Sequence, residues 1–354
     1  MSLSCLRDAE GDNASQMSTL NAAGTFVRRD RLARVAEEAE RLAPAATRSI
    51  NSRGRVRPEE PDEFRTAFER DRDRIMHSKA FRRLKHKTQV FINPEGDHFV
   101  TRLSHTLQVT QISRALAAAL SLNESLSEAI ALGHDVGHSP FGHTGEEALS
   151  PYFPHRGWHH AAQSVRVYEV LEDLNLTWEV RDGIRAHSWK IEPPPATPEA
   201  MTVRYGDRIA YLTHDALDAM RAGVLSPTDF PSRALERFGL PGRLWIGEMI
   251  DAVIEESLRS GEVRMDAPTL DVMNELREFM FANVYLSDAQ RVHTDVAVGV
   301  IRRLVDYHLD HLSELPDTYR DTEVDPTTQV VDYVAGMTDR FALQMHDRLF
   351  GLNG

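Results

Sequence analysis

One segment limits the fold of this chain more than any other: Ala131-Leu-Gly-His-Asp-Val-Gly-His-Ser-Pro-Phe-Gly-His-Thr-Gly-Glu146. Just before it, Leu126, Ala129, Ile130 and Gly133 follow the three-and-four spacing of a buried helical face, and Asn123 is placed to cap its start. His134 continues that face at its C-terminal end. Gly137, Pro140 and Gly142 then forbid a regular helix and let backbone approach a ligand closely. The expected fold therefore buries a helix that ends in an imidazole and a carboxylate side by side, a pair suited to a borderline or hard divalent cation. The dipeptide alone is not diagnostic, because His214-Asp215 and His346-Asp347 repeat it without a glycine-rich sequel.

Two adjacent ligands do not hold a catalytic metal, so others must come from elsewhere. His105 opens a stretch in which Val109, Ile112 and Leu116 recur at helical intervals, which puts its imidazole on an apolar stripe. Such a histidine is either satisfied by a local hydrogen bond or is a ligand. Between Met201 and Gly223, Asp207, Tyr211 and Asp215 recur every four residues, with Asp218 on the same side and Val203, Ile209 and Leu212 beside them. Spacing alone leaves this stripe open as a binding face or a solvated one, since Arg204, Arg208 and Arg221 are available as surface partners. His143 and Glu146, three apart, share a face if the chain re-enters helix after Phe141.

The periodicity predicts an all-α fold with at most a minor β-hairpin, placed at Gln89–Ile92 and Phe99–Val100 around the turn Asn93–Asp97. Residues 1–27, rich in Ser, Asn, Gly and Ala, are expected to form a mobile tail, followed by a helix and extended arm over 28–62. A catalytic core over 63–225 and a C-terminal helical part over 226–354, packed on it as one continuous domain, complete the expected organisation. Helices are expected at Arg28–Leu42, Glu63–Leu84, from His105, Asn123 and His160, around Asp207, and at Leu244–Ser260, Leu270–Val284, Thr294–Leu312 and Val330–Leu349. With 354 residues, 41% hydrophobic, the chain can bury a sizeable core. Its single cysteine, Cys5, excludes an internal disulfide framework and suits a cytoplasmic protein, and no run is long and apolar enough for a signal peptide or membrane anchor. A net charge of -13 disfavours a protein that coats nucleic acid. From Arg53 to Lys87, however, twelve Lys or Arg stand against seven Asp or Glu.

His105, His134-Asp135 and Asp207, in that order, resemble the signature of the HD-domain metal-dependent phosphohydrolases. Arg65–Ile75, Phe81–Leu84, Lys87–Phe91, His134–Glu146 and Asp332–Phe341 narrow the resemblance to the bacterial dGTPase branch, the deoxynucleoside triphosphate triphosphohydrolases, over roughly Ser49 to Phe350. The resemblance implies one divalent metal (Mn, Mg, Co, Ni or Fe) held by His105, His134, Asp135 and Asp207. It also implies that His143 and Glu146, with a later histidine, handle protons; His160 matches that position better than His159, although Ala161 stands where the family has a polar residue. Gln89, Arg102, Arg208, Tyr211 and Asp215 match positions that touch triphosphate and sugar, and His138 is expected to face phosphate.

The reaction so implied is water attack at the α-phosphorus of a dNTP, giving a deoxynucleoside and tripolyphosphate. Two other readings use the same sequence: an HD phosphomonoesterase or guanosine-tetraphosphate hydrolase, and a non-enzymatic nucleotide- or single-strand-binding scaffold. Expected partners are a dNTP substrate, a dNTP effector, weakly bound single-stranded DNA and further copies of the chain, with no membrane.

Overall fold

The computed structural model of the chain describes residues 26–90, 98–285 and 288–351. Among these the architecture is all-α: fifteen α-helices, with β-structure confined to isolated bridges such as Arg55 with Thr177 and Thr88 with Thr101. The turn expected at Asn93–Asp97 lies outside the described residues, as does the expected tail up to Thr25.

Three helices form the centre: α4 (Arg102–Ala119), α5 (Glu124–Gly133) and α9 (Pro198–Arg221). Val109, Ile112 and Leu116 of α4 meet Leu126 and Ile130 of α5 and Val203, Ile209 and Leu212 of α9, all at most 1% exposed. Each such side chain contributes about 1.5–3 kcal/mol by leaving water. Helices α4 and α9 approach so closely that a Cβ on Gly206 would lie 2.4 Å from the Ser113 hydroxyl. Around this centre pack α2 (Ala67–His77), α8 (Trp178–Ala186), α10 (Ser232–Phe238), α11 (Arg243–Ser260) and α12 (Ala267–Met280).

A second apolar cluster joins α13 (Asp288–Asp310), α14 (Pro326–Ala335) and α15 (Asp339–Phe350) to α6 (Gly142–Leu149), through Leu304, Val331 and Ala342 on one side and Phe141, Leu149 and Trp158 on the other. The loop between α5 and α6 thus runs between two cores. Residues of the C-terminal motif clamp it. The Asp339 carboxylate accepts from the backbone N–H of Phe141 (3.0 Å) and of Thr88 (2.8 Å), and Asp332 accepts from Gln163 (2.8 Å) and Arg166 on α7 (His160–Arg166).

Several boundaries differ from the periodicity. Glu63–Leu84 is not one helix: Ser78 ends α2 and caps α3 (Lys79–Arg83) by accepting from Phe81 N–H. Val330–Leu349 divides into α14 and α15 at Gly336–Thr338, where Thr338 caps the second helix. Helices α8 and α10, nine and seven residues long, are too short to register as a period. The helix expected at Arg28–Leu42 is α1 (Arg31–Arg41), and the arm after it is pinned to the body. Thr47 donates its N–H and hydroxyl to buried Glu199 at the start of α9 (2.8 and 2.7 Å), and Arg55 pairs with buried Asp71.

Candidate metal centre and active-site cleft

His105 projects from the first turn of α4, His134 caps the end of α5, Asp135 follows it, and Asp207 comes from the middle of α9. The packing of these three helices brings the four side chains together. His105 Nε2 lies 3.1 Å from Asp207 Oδ1 and 3.8 Å from Asp135 Oδ2; His134 Nε2 lies 3.4 Å from Asp135 Oδ1 and 3.8 Å from Asp207 Oδ1. The Nδ1 of His134 faces the Ala131 carbonyl at 2.7 Å, so it carries the proton and Nε2 presents a bare lone pair that finds no hydrogen-bond partner. Burial opposes the charge on Asp207, yet the hydrogen bond from His105 and the nearby His134 hold its carboxyl at about 2. Burial likewise opposes the charge on Asp135, but His134, His138 and Arg102 keep it well below the usual carboxylate range. Ionised carboxylates and a buried, unpartnered imidazole nitrogen are the protonation states that a divalent metal requires. The donor set fits such an ion, and HD domains bind divalent metals.

The glycine-rich loop continues from the metal centre into a second cluster. A Cβ on Gly137 would lie 2.2 Å from Ser164 N and 2.5 Å from His160 O, so only glycine lets the loop touch the start of α7. Phe141 and Gly142 both have positive φ (60° and 59°), which turns the chain into α6. His143 and Glu146 accordingly share a face, with His143 Nδ1 3.6 Å from Glu146 Oε2 and the imidazole two-thirds exposed. His160 Nδ1 donates to Glu146 Oε2 at 2.9 Å, whereas His159 Nε2 stays 3.8 Å from that carboxylate and its Nδ1 instead caps α7. Burial opposes ionisation of Glu146, but His160 and His143 hold it far below the usual range. His138 is buried, stacks on His160 at 3.8 Å between centroids, and lies 3.3 Å from Asp135 Oδ1. Burial, with Arg102 and His160 nearby, keeps it neutral.

Above both clusters opens a cleft lined by Gln89, Arg102, His138, Arg208, Tyr211 and Asp215, together with His105, Asp135, Asp207, His143 and His160. Every substrate-facing residue expected from the sequence borders it. Arg102 Nη1 donates to Asp135 Oδ2 at 2.6 Å with both groups buried. Arg208 donates to Asn274 at 2.8 Å and lies over the Trp189 ring at 4.0 Å. Asp215 accepts from the Tyr285 hydroxyl at 2.6 Å, and burial pushes its carboxyl up to about 7.

Sequence reasoning missed His187, Trp189, Lys190, Arg277, Phe281 and Tyr285, which also line the cleft. Arg277, Phe281 and Tyr285 recur every four residues, a stripe that period counting could have found. His187 caps α8 as His134 caps α5: its Nδ1 faces the Ile184 carbonyl, three residues back, at 2.7 Å. The basic run Arg53–Lys87 does not border the cleft. Its arginines pair with Asp71, Asp173, Asp62, Glu59, Asp73 and Glu172, and Lys87 is buried against the carbonyls of His138 and Ala335. The cations at the cleft are Arg102, Lys190, Arg208 and Arg277.

Comparison with known proteins agrees with this geometry. Residues 102–212 match the HD domain and residues 263–348 the phosphohydrolase-associated domain. A deoxyguanosinetriphosphate triphosphohydrolase-like protein of Caldanaerobacter subterraneus subsp. tengcongensis is 47% identical over 315 residues, covering 87% of this chain and 92% of that protein. Proteins of the same description are 44% identical in Desulfatibacillum aliphaticivorans (88% of this chain, 95% of the relative) and 43% identical in Clostridium perfringens (88% and 94%). The HD-domain match runs from α4 into α9 and contains all four side chains of the candidate metal centre. At these identities and coverages, the chain belongs to the deoxyguanosinetriphosphate triphosphohydrolase-like family of HD-domain proteins.

Proposed function

We propose that this protein is a metal-dependent deoxynucleoside triphosphate triphosphohydrolase, releasing a deoxynucleoside and intact tripolyphosphate by water attack at the α-phosphorus. The observation that carries the reading is the convergence of His105, His134, Asp135 and Asp207 beneath a cleft bearing Arg102, Lys190, Arg208 and Arg277. Two imidazoles and two carboxylates suit one borderline or hard divalent ion among Mn, Mg, Co, Ni and Fe. When bound, such an ion supplies Lewis acidity and lowers the pKa of a coordinated water. The cleft's cations hold the polyanionic chain of phosphates, with Arg102 kept in place by Asp135. In the reaction a water oxygen bonds to the α-phosphorus as the His160 imidazole takes a proton from that water, the bond to O5′ breaks, and O5′ takes a proton. His143 lies at the open side of the cluster and delivers that proton; Glu146 orients His143 and fixes the Nδ1 proton of His160, which faces the water. Gln89, Tyr211 and Asp215 enclose the sugar and disfavour a ribonucleotide, and His138 faces phosphate.

The same reading has the protein in the cytoplasm as a homo-oligomer, with a second dNTP as effector and weak single-stranded DNA binding along the partly neutralised Arg53–Lys87 run. It takes 63–225 as the catalytic core, with the arm over 28–62 and the helices from 226 packed on it. The test is incubation with each dNTP, alone and in pairs, with Mn, Mg, Co or Ni in turn, followed by product identification. Tripolyphosphate is expected; pyrophosphate or orthophosphate as first product overturns the reading. Turnover of one dNTP only in the presence of another establishes the effector.

A further inference from the structure

We propose that Trp189 and Asn274 are positioning residues for phosphate binding: they aim the Arg208 guanidinium into the cleft and leave its charge uncancelled. The inference rests on the reading above for its ligand, a chain of phosphates, and goes beyond it in saying what keeps the cation available. A carboxylate orients an arginine fork and neutralises it in one step. Arg102 is held that way by Asp135, as are Arg55 by Asp71 and Arg166 by Asp332. Arg208 is held differently. Only 6% exposed, it has no carboxylate oxygen within 4.0 Å among the described residues. Its Nη1 donates instead to the side-chain oxygen of Asn274 on α12 at 2.8 Å, and its guanidinium carbon lies 4.0 Å from the centroid of the Trp189 ring. Both contacts are directional, and neither brings a formal negative charge.

A buried cation without a counter-ion is costly, and the Nε of Arg208 is buried with no hydrogen-bond partner. An anion entering the cleft that Arg208 lines relieves both. The indole that holds the guanidinium is itself fixed. Trp189 lies in the loop between α8 and α9, its Nε1 donates to the Arg204 carbonyl at 2.9 Å, and its ring meets Tyr205 edge-on at 5.1 Å. The Arg204 guanidinium, one helical turn before Arg208, also lies over the indole, at 4.9 Å. It too has no carboxylate oxygen within 4.0 Å among the described residues, but it does not line the cleft. Arg204 therefore holds the aromatic plate, and Arg208 presents its charge from it. The grip comes from two separate elements, α12 and the loop ahead of α9, so the fork stays aimed without a carboxylate.

Calorimetric titration of the full-length chain with inorganic tripolyphosphate, in Mg(II) buffer near neutral pH and at fixed salt, tests this, with the melting temperature of each variant as the check on folding. Asn274→Asp keeps the shape and the hydrogen bond and adds the missing negative charge. Its binding is expected to weaken by about tenfold or more, with a melting temperature no lower than that of wild type. A residue that only braced the fold would give the opposite, a stronger contact and no loss of binding. Trp189→Ala is expected to weaken binding by about tenfold, and Trp189→Phe, which keeps a ring face, by about threefold or less. Once Arg208→Met is present, Trp189→Ala should add nothing further. Wild-type affinity in Asn274→Asp overturns the proposal, as does a Trp189→Ala loss of equal size with and without Arg208. Both of those outcomes leave the phosphate-binding reading of the cleft standing. Absence of tripolyphosphate binding by wild type overturns that reading, and the proposal with it.

Discussion

Asp71→Ala isolates the contribution of one buried polar hub. The Asp71 carboxylate is fully buried, pairs with Arg55 (6% exposed) and accepts from the N–H and hydroxyl of Thr177 at 2.8 and 2.6 Å, so it ties the arm to α2 and to the start of α8. Burial raises its pKa even against Arg55 and Thr177, so the ion pair is not itself a large source of stability. Truncation nevertheless leaves the Arg55 guanidinium buried with only the Asn175 and Ala67 carbonyls, and leaves Thr177 unpaired. Removing one partner of a buried pair costs about 3–5 kcal/mol. At about 2 cal/mol/K per residue, the 354-residue chain has an unfolding entropy on the order of 0.7 kcal/mol/K, so the melting midpoint should fall by about 4–7 °C. Arg55→Met combined with Asp71→Ala should recover part of the loss, because no lone charge remains. Differential scanning calorimetry of both variants is the assay, with kcat at 25 °C as a control that should barely move. A single-variant shift below about 1 °C, or a double variant no more stable than the single, would refute the reasoning.

Gly137→Ala should cost at least roughly 2 kcal/mol in urea denaturation, because the new Cβ meets backbone atoms that cannot rotate away. An unchanged urea midpoint would contradict the close approach of the loop to α7. Arg102→Ala should lower kcat/KM by about 10²–10³-fold with the fold intact, since it removes a cleft cation and leaves Asp135 without its guanidinium; a loss under tenfold would exclude Arg102 from phosphate binding. Asp215 has a carboxyl raised by burial from 3.8 to about 7, so its neutral form is favoured in the fold. Its contribution is therefore complete below about pH 4 and lost as pH rises through 7. Over that window wild type should lose thermal stability relative to Asp215→Asn, and parallel melting curves would count against the shift.

The residues of the candidate metal centre were legible because each stands on or beside a helix whose apolar neighbours announce its period: Val109, Ile112 and Leu116 for His105, Leu126 and Ile130 for His134, Ile209 and Leu212 for Asp207. His187 was not, since α8 has only nine residues and the histidine stands just past its end. Its signal was local, an imidazole three residues after a buried Ile184 at the end of a helix, the relation of His134 to Ala131. The cations that line the cleft, Arg102, Lys190, Arg208 and Arg277, all lie outside the locally basic run Arg53–Lys87. The excess over Arg53–Lys87 is real in the chain, but partners far along the sequence, Asp173 and Glu172 among them, neutralise part of it. Gly336–Thr338 escaped notice because α14 and α15 both face the second core, so the apolar pattern runs on across the break.

Water attack at the α-phosphorus is tested most directly by turnover in water enriched in ¹⁸O, with mass spectrometry of both products. The label is expected on tripolyphosphate, at the phosphorus that was α, and absent from the deoxynucleoside. Label in the nucleoside 5′-hydroxyl, or release of a nucleoside monophosphate with labelled pyrophosphate, would contradict the account.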